Sequence, residues 1–322
     1  MSPENSDVCK KLLMFGATGL IGTYIVQAIV QNKAQFDRIA IFTSPSTVES
    51  KADQIDSLKK EGVEVIVGDI NNPDDVVKAY KDIDTVISAV GRNVIGHQVE
   101  LVKLADQSTS VKRLFPSEYG TDIEYGPQSA TEKPHQLKLK VRAALRECKN
   151  LDHTYVVTGP YAEFFLAHNA NFTEAGTFDV KNKTAKLIGD ENVKISFTTM
   201  RDVGKLVVHA LLKPEASRNQ ALRVNSFTAT NADILHEFEK QTGGQPWEVS
   251  YIGLEDLKKK EQAAWESGVP FATAFTLKRI WAEGGTLYDK RDNHLIDAGN
   301  DMDSLEIAVA NAVKAQTSPS KM

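Results

Sequence analysis

Short hydrophobic runs alternate with longer amphipathic segments through the first half of the chain. Strand-like runs lie at residues 11–15, 38–42, 63–67, 85–88, 111–115 and 154–157, and helix-like segments lie between them at 20–30, 48–60, 73–80, 95–107 and about 134–149. Apolar strands that alternate with helices are typical of a parallel sheet covered by helices on both faces. The pattern therefore predicts an α/β fold with a doubly wound parallel sheet.

The pattern loosens after Gly159. Strand candidates at 185–188, 193–198 and 221–224 are mixed there with helix candidates at 201–212, 231–241, 254–265 and 304–313. A chain of 322 residues is long enough for two domains of about 150 residues each. We predict that residues 8–158 form the parallel-sheet domain and that residues 159–316 form mainly a smaller α+β substrate-binding domain, with some segments returning to the first.

The charge and composition of the chain exclude several classes of protein. Its 41% hydrophobic and 25% charged residues are typical of a globular protein, and the net charge of −5 is the wrong sign for neutralising nucleic-acid phosphates. The two cysteines, Cys9 and Cys148, cannot build a disulfide framework, which favours a reducing compartment. We therefore expect a protein with no nucleic-acid partner.

The sequence also predicts where the protein resides. It has no apolar run long enough to cross a bilayer, and residues 1–8 are polar, unlike a secretory signal. We expect a soluble cytoplasmic protein without a membrane partner. The last three residues, Ser320, Lys321 and Met322, are similar to the peroxisomal Ser-Lys-Leu signal, so peroxisomal import remains an alternative.

A glycine-rich segment joins the first predicted strand to the first predicted helix: Gly16, Ala17, Thr18, Gly19, Leu20, Ile21 and Gly22. Glycines at this spacing permit a tight turn, close approach of the backbone to a pyrophosphate, and close packing of the helix on the strand. The free N–H groups at the helix amino terminus then attract the anion. The segment predicts a dinucleotide site of the Rossmann type.

The residues after the second strand favour NADP(H) over NAD(H). A site for NAD usually places a carboxylate there for the ribose 2′-hydroxyl, whereas a site for NADP places cations for the 2′-phosphate. Here Thr43 and Ser44 begin a segment without an acid before Glu49, and Lys51 follows. Hydroxyl groups and a lysine suit a phosphate, although a lysine at such a position is also common on a solvated helix face.

Other catalytic motifs are missing from the sequence. No tyrosine has a lysine four residues later, so the Tyr-x-x-x-Lys pair of many short-chain dehydrogenases is absent. His236 and Glu237 begin a zincin-like segment that lacks its second histidine, and we predict no metal site. The chain also has neither a Gly-x-Ser-x-Gly elbow nor a P-loop.

Several motifs together resemble one known family. They are the glycine-rich segment, Pro-Ser-Glu-Tyr-Gly at 116–120, the Lys-x-x-Val-Arg pattern from Lys138 to Arg142, Thr-Tyr-Val-Val at 154–157 and Arg-Asp-Val-Gly at 201–204. This set resembles the isoflavone reductase-like, NmrA-like branch of the atypical short-chain dehydrogenases, which includes phenylcoumaran benzylic ether reductases and pinoresinol-lariciresinol reductases. The likeness extends from about residue 10 to residue 224. It implies an NADPH-dependent reductase with a Rossmann-type domain and a substrate domain.

The resemblance also implies roles for individual residues. The family's catalytic lysine, a general acid/base, falls on Lys138. Spacing on a helix does not single it out, because Lys133 and Lys140 flank the same apolar stripe. With the position of strand ends, the resemblance implies a set of cofactor contacts: Gly16, Thr18, Gly19, Leu20, Ile21, Gly22, Thr43, Ser44, Lys51, Ser88, Ala89, Val90, Pro116, Ser117, Lys138, Gly159, Pro160 and Tyr161.

The chain departs from the family pattern at two places. Gly159, Pro160 and Tyr161 stand where the family usually has Asn-Cys-Phe beside the nicotinamide, and Thr43 stands where it commonly has an arginine. The second departure leaves Lys51 as the main cation for a 2′-phosphate.

The substrate itself is not identified by the sequence. Tyr119, near the end of the fifth strand, and Phe164 are candidate substrate contacts, and further aromatic residues of the second half either line a flat pocket or belong to the core: Phe165, Trp265, Phe271, Phe275 and Trp281. We expect a small aromatic or conjugated substrate and a monomer or homodimer. Two alternatives remain, an NADP-binding redox sensor without catalysis and a non-redox isomerase or lyase that retains NADP.

Overall fold

The strands of the first half align in one parallel sheet. The computed structural model describes residues 9–169, 173–288, 290–299 and 301–318. Its strands are β1 (Lys11–Phe15), β2 (Arg38–Thr43), β3 (Glu64–Val67), β4 (Thr85–Ser88), β5 (Arg113–Phe115), β6 (Asp152–Val157), β7 (Thr177–Asp179), β8 (Thr184–Ile188), β9 (Lys194–Phe197), β10 (Gln220–Arg223), β11 (Phe227–Thr230) and β12 (Glu248–Ile252). Within these residues a seven-stranded sheet has the order β3-β2-β1-β4-β5-β6-β10, with every pairing parallel.

Helices connect these strands and cover the sheet. They are α1 (Leu20–Gln31), α2 (Pro45–Ser50), α3 (Ala52–Lys60), α4 (Pro73–Ala79), α5 (Gln98–Gln107), α6 (Gln136–Glu147), α7 (Ala162–Phe165), α8 (Met200–Leu212), α9 (Pro214–Ser217), α10 (Asn231–Gln241), α11 (Leu254–Glu266), α12 (Ala272–Ala282) and α13 (Leu305–Thr317). No described helix is both long and apolar enough to span a membrane. The strand order 3-2-1-4-5-6 is that of a dinucleotide-binding sheet, so the predicted α/β class is confirmed.

The side chains of each central strand alternate between two cores. Leu12 and Met14 pack on one face with residues of α1, α3 and α8, whereas Leu13 and Phe15 pack on the other with residues of α4, α5 and α6. Because successive side chains of a strand point to opposite faces, a run such as Leu12–Phe15 must be apolar throughout when both faces are covered. This explains why the strands have no polar alternation in the sequence.

The second half contributes to both parts of the molecule. Strand β10 pairs with β6, with Leu222 opposite Val156, and α8 packs on α1, so both elements belong to the parallel-sheet layer. A further core, separate from the two cores of the parallel sheet, contains Phe178, Phe197 and Phe238. It lies next to a three-stranded sheet of order β12-β8-β7 and the antiparallel pair β9–β11. The division at residues 158 and 159 stays a prediction, but the chain crosses between the two layers more than once.

Two predicted helices differ from the structure. The segment predicted as one helix at 48–60 forms α2 and α3, because Ser44 caps an earlier start at Pro45 and the backbone leaves the helical region at Lys51. The segment predicted at 95–107 begins as a 3₁₀ turn at Arg92–His97 before α5. Strands β7, β11 and β12 and helices α7, α9 and α12 are not among the elements that the sequence predicts. The C-terminal Ser320–Met322 lies outside the described residues.

Candidate cofactor and substrate cleft

The glycine-rich segment forms a tight turn between β1 and α1. Gly16 has φ +77°, and a side-chain carbon there would lie 2.6 Å from the carbonyl oxygen of Ala89. A side-chain carbon on Gly22 would lie 2.0 Å from the carbonyl oxygen of Gly16. Only glycine fits at these two positions, because other residues would have to displace backbone atoms. The close packing that the sequence predicts for this turn is therefore present.

The amino terminus of α1 is open to an anion. Among the described residues no side chain caps this twelve-residue helix, and its first turn holds no acidic residue. The first N–H groups of a helix have no partner within it, and they carry a partial positive charge. Together with the glycine turn, this end of α1 has the chemistry that a pyrophosphate needs.

Two clefts meet at the glycine turn. The first, of about 360 Å³, is lined by Gly16 and Thr18 and by the ends of β2 and β3, including Thr43, Ser44 and Asp69. The second, of about 370 Å³, is lined by Gly19, Leu20, Ile21 and Lys138 among others. A dinucleotide has two nucleoside halves joined by a pyrophosphate, so two clefts that share an anion-binding turn match its shape.

Lys51 lies against the glycine turn. Its Nζ donates a hydrogen bond of 2.5 Å to the carbonyl oxygen of Thr18, although the two residues are 33 positions apart in the chain. Ser44 and Thr43 line the first cleft, but the Ser44 hydroxyl already accepts from the N–H of Thr47 as the cap of α2. Lys51 therefore places an ammonium group against the glycine turn that borders this cleft, although Lys51 does not line the cleft itself.

The ends of β4 and β5 form one wall of the second cleft. Ala89 and Val90 line it, and Ser117 joins them through a 3.0 Å hydrogen bond from its hydroxyl to the carbonyl oxygen of Val90. Gln98 accepts a 2.8 Å bond from the Ser117 N–H. The predicted cofactor contacts thus come together in the two clefts, except that Gly22, Lys51, Ser88 and Pro116 are not among the residues lining either one.

Lys138 stands in the first turn of α6, half-buried at the second cleft. Removal from water lowers the pKa of its ammonium group, and the positive charges of Arg142 and Arg92 lower it as well, while Glu118 opposes them. A lysine with a lowered pKa can exchange a proton near neutral pH. No described residue that lines this cleft is an aspartate or a glutamate.

Arg142 holds the carboxylate that faces Lys138. Its Nε and Nη2 contact the two carboxylate oxygens of Glu118 at 3.2 and 3.1 Å, and both side chains are 1% exposed. Its Nη1 also reaches Asp122 at 3.5 Å and Glu124 at 2.7 Å. A two-point contact of this kind neutralises Glu118 and fixes it in place. Sequence reasoning used Arg142 only as part of a motif and missed this role.

The segment Gly159–Tyr161 borders the second cleft opposite Lys138's helix. The Gly159 N–H donates to the carbonyl oxygen of Gly120 at 2.8 Å, and the Tyr161 hydroxyl donates to the carbonyl oxygen of Tyr119. The Tyr119 side chain lines the same cleft, its buried hydroxyl has no partner among the described residues, and burial raises its pKa. Tyr119 is therefore a protonated group whose hydroxyl is unpaired within the described residues.

Apolar side chains close the second cleft. Phe164 is 54% exposed at its rim, and Trp281 of α12 lines it while donating from Nε1 to the Thr121 hydroxyl at 2.8 Å. The other aromatic candidates do not line this cleft and pack in the cores instead: Phe165, Trp265, Phe271 and Phe275. Trp281 could not be chosen from sequence, because its helical spacing is that of core residues.

Other residues at the cleft were also missed by the sequence. His135 and Arg92 line it, and neither belongs to a motif that we had singled out. Only the position of His135, three residues before Lys138, could have indicated from the sequence that it lies at the cleft. In the part of the chain that the structure describes, no group of three or more His, Cys, Asp and Glu side chains is arranged to hold a metal ion.

The chain is similar in sequence to reductases that come from plants. An isoflavone reductase of Medicago sativa is 29% identical over 285 residues, covering 84% of this chain and 85% of that protein. Phenylcoumaran benzylic ether reductase 1 of Arabidopsis thaliana is 28% identical over 278 residues, covering 85% and 87%. These relatives confirm the resemblance that the motifs predicted.

Solved structures of similar fold align with nearly the whole chain. The crystal structure of an isoflavone reductase aligns with a TM-score of 0.79 and 25% identity, covering 94% of this chain and 99% of that one. The complex of leucoanthocyanidin reductase with NADPH from Vitis vinifera aligns with a TM-score of 0.76 and 22% identity, at the same coverage. The sequence model of the NmrA-like family matches residues 9–307 of this chain. The chain therefore belongs to the NmrA-like family, within which its relatives are isoflavone reductase-like.

Proposed function

We propose that this protein is an NADP-dependent oxidoreductase that reduces a small aromatic or conjugated substrate. The observation that carries the proposal is the position of Lys138, whose ammonium group lies in the cleft that begins at the amino terminus of α1 and whose pKa is lowered. The names of the relatives, isoflavone reductase and phenylcoumaran benzylic ether reductase, support the reaction class. The NADPH complex of a protein of the same fold supports the cofactor.

The cofactor fits the residues that meet at the glycine turn. The N–H groups of α1 and the turn from Gly16 to Gly22 would bind the pyrophosphate, and the first cleft would take the adenosine half. Lys51, which contacts Thr18, would pair with the 2′-phosphate. Ala89, Val90 and the segment Gly159–Tyr161 would border the nicotinamide in the second cleft. When bound, NADPH supplies a hydride to an electrophilic carbon of the substrate.

Lys138 supplies or removes the proton. With NADPH bound, the Lys138 ammonium group would donate a proton to the enolate or phenolate oxygen of the reduced substrate. In a substrate whose phenol must first ionise, neutral Lys138 takes that proton instead. Both directions need an amine whose pKa lies nearer to neutrality than an exposed lysine's, and this is the effect of burial, Arg142 and Arg92 on Lys138.

The apolar walls restrict the substrate to flat, hydrophobic molecules. Phe164, Trp281 and Tyr161 lie around the cleft with Leu277 and Ile123. A volume of about 370 Å³ is at the lower end of the range for sites of small organic ligands, and part of it is needed for the nicotinamide. We infer that the substrate places one aromatic ring between these side chains and Lys138.

The test is oxidation of NADPH by the purified protein with a panel of phenolic enones and benzylic ethers. We expect loss of reduced-nicotinamide absorbance, in equal amounts with formation of reduced product, for at least one member. Tight binding of NADPH without oxidation by any member would contradict the proposal and favour a redox sensor. An altered product without net NADPH consumption would favour an isomerase.

A further inference from the structure

His135 is a buried imidazole at the second cleft that no step described above uses. It is 2% exposed, lies immediately before α6, and lines the cleft three residues before Lys138. Residues three apart near the start of a helix share a face, so His135 and Lys138 approach the same ligand. The ring of Tyr125 packs edge-on against the imidazole at 6.1 Å and restricts its rotation.

The hydrogen bond of His135 determines its tautomer. Nδ1 lies 2.9 Å from the carbonyl oxygen of Ser129. A carbonyl oxygen only accepts, so Nδ1 must carry the proton and donate it. In the neutral ring Nε2 then has a free lone pair, and this nitrogen is buried without a partner among the described residues. A buried polar atom without a partner is uncommon and points to a ligand that is absent from the free protein.

The surroundings favour the neutral ring. Burial lowers the pKa of His135, the largest effect, and Lys138 lowers it further, while the hydrogen bond with Ser129 and the charges of Glu132 and Glu118 act in the opposite direction. Both carboxylates are already paired, Glu132 with Arg279 at 2.7 Å and Glu118 with Arg142 at 3.1 Å. A neutral imidazole whose Nδ1 is engaged offers only an acceptor at the cleft.

We propose that Nε2 of His135 accepts a hydrogen bond from a hydroxyl group of the substrate, and that this contact selects hydroxylated aromatic substrates over their O-methyl ethers. The inference rests on the proposed function, since it takes the ligand of the cleft to be aromatic. The hydroxyl of Tyr119, also unpartnered, can donate or accept and so does not discriminate by itself. His135 cannot donate at Nε2, and this makes it the group that requires a donor.

The test uses two fragments, phenol and anisole, that differ only in the hydroxyl hydrogen and a methyl group. Each is titrated into the protein saturated with NADP⁺, with the imidazole nitrogens followed by NMR after ¹⁵N-histidine labelling. We expect phenol to shift the His135 Nε2 resonance and to bind about tenfold more tightly than anisole, as expected for one hydrogen bond to a buried group. His135→Phe should bind both fragments with equal affinity, and His97→Phe, at an exposed histidine outside the cleft, should keep the preference.

The wild-type titration alone decides the proposal, even if His135→Phe does not fold. Equal affinity for the two fragments, an unmoved His135 resonance, or no binding of phenol would overturn it. The outcome is separate from that of the proposed function. If phenol is selected through His135 but no substrate oxidises NADPH, the reductase proposal fails and the hydroxyl site stands. If NADPH is oxidised without such selection, only the role of His135 fails.

Discussion

Arg142 donates two hydrogen bonds, of 3.2 and 3.1 Å, to the carboxylate of Glu118, and both side chains are almost completely excluded from water. The negative charge of Glu118 by itself raises the pKa of Lys138 and so favours its charged form. The guanidinium group balances that charge, so that removal from water still lowers the pKa of Lys138. Burial is therefore the main cause of the lowered pKa of Lys138, and the two charges of the ion pair act on it in opposite directions.

Glu118→Gln should lower the pKa of Lys138 further, because the negative charge that opposes the lowering is removed. The limb of the pH–rate profile that follows deprotonation of Lys138 should move to lower pH by roughly half to one unit. Glu124→Gln, which also removes a partner of Arg142 but is not near Lys138, is the matched control and should leave that limb in place. A shift to higher pH, or the same shift in both variants, would refute this role for Glu118.

Lys138→Ala should remove turnover but leave cofactor binding intact, since the amine exchanges a proton with substrate and does not hold the phosphates. The expected fall in kcat is about 10² to 10⁴, the usual contribution of a general acid or base. Lys140→Ala provides the comparison, because Lys140 is exposed on the same helix and does not line the cleft. NADPH binding is measured by fluorescence titration. Normal turnover by Lys138→Ala would exclude Lys138 as the general acid or base.

Lys51→Ala should weaken binding of NADPH about tenfold and leave binding of NADH nearly unchanged, because only NADPH carries a 2′-phosphate for the ammonium group. Lys60→Ala, at an exposed lysine of α3, controls for the loss of one surface charge. The dissociation constants of both nucleotides come from calorimetry. Equal weakening for the two nucleotides would mean that Lys51 only supports the glycine turn.

Gly22→Ala should disturb the turn that receives the pyrophosphate, since the new methyl group would lie 2.0 Å from the carbonyl oxygen of Gly16. We expect a loss of about 1–3 kcal/mol in the free energy of unfolding and weaker binding of NADPH by more than about tenfold. Gly253→Ala has open space around the new carbon and should change neither quantity. Urea unfolding measures the first quantity and nucleotide titration the second. Unchanged values of both in Gly22→Ala would contradict the prediction.

His153 should make the protein less stable in mild acid. Burial lowers its pKa to about 4, whereas in the unfolded chain it is about 6.5. Between these values the unfolded chain binds a proton that the folded protein does not, so stability is complete above the higher value and falls as the pH drops through the window. His153 should contribute ~2 kcal/mol to the loss of stability from pH 7 to pH 4.5 in urea unfolding, so the loss should be smaller by that amount in His153→Gln and unchanged in His97→Gln, which changes an exposed histidine.

The parallel sheet and its glycine turn could be predicted because their causes are local. Strands such as Leu12–Phe15 are apolar on both faces, and the glycines from Gly16 to Gly22 stand at a spacing that the turn requires. Lys138 could be identified as the catalytic lysine only through the resemblance to the family. Lys133, Lys138 and Lys140 all flank the apolar stripe of the helix, so their spacing alone does not distinguish them.

The amino-acid sequence by itself determined the fold class, the turn for a pyrophosphate and the family, since each follows from neighbours along the chain. Tertiary structure alone decided that β10 returns to the sheet, that Lys51 reaches Thr18, that Trp281 closes the cleft, and that Arg142 neutralises Glu118 beside Lys138. Contacts of this kind join residues that are far apart in the chain. Trp281 and Thr121 are 160 positions apart, and Arg142 and Asp122 are 20 positions apart. Burial, charge balance and missing hydrogen-bond partners arise only when such distant residues are packed together.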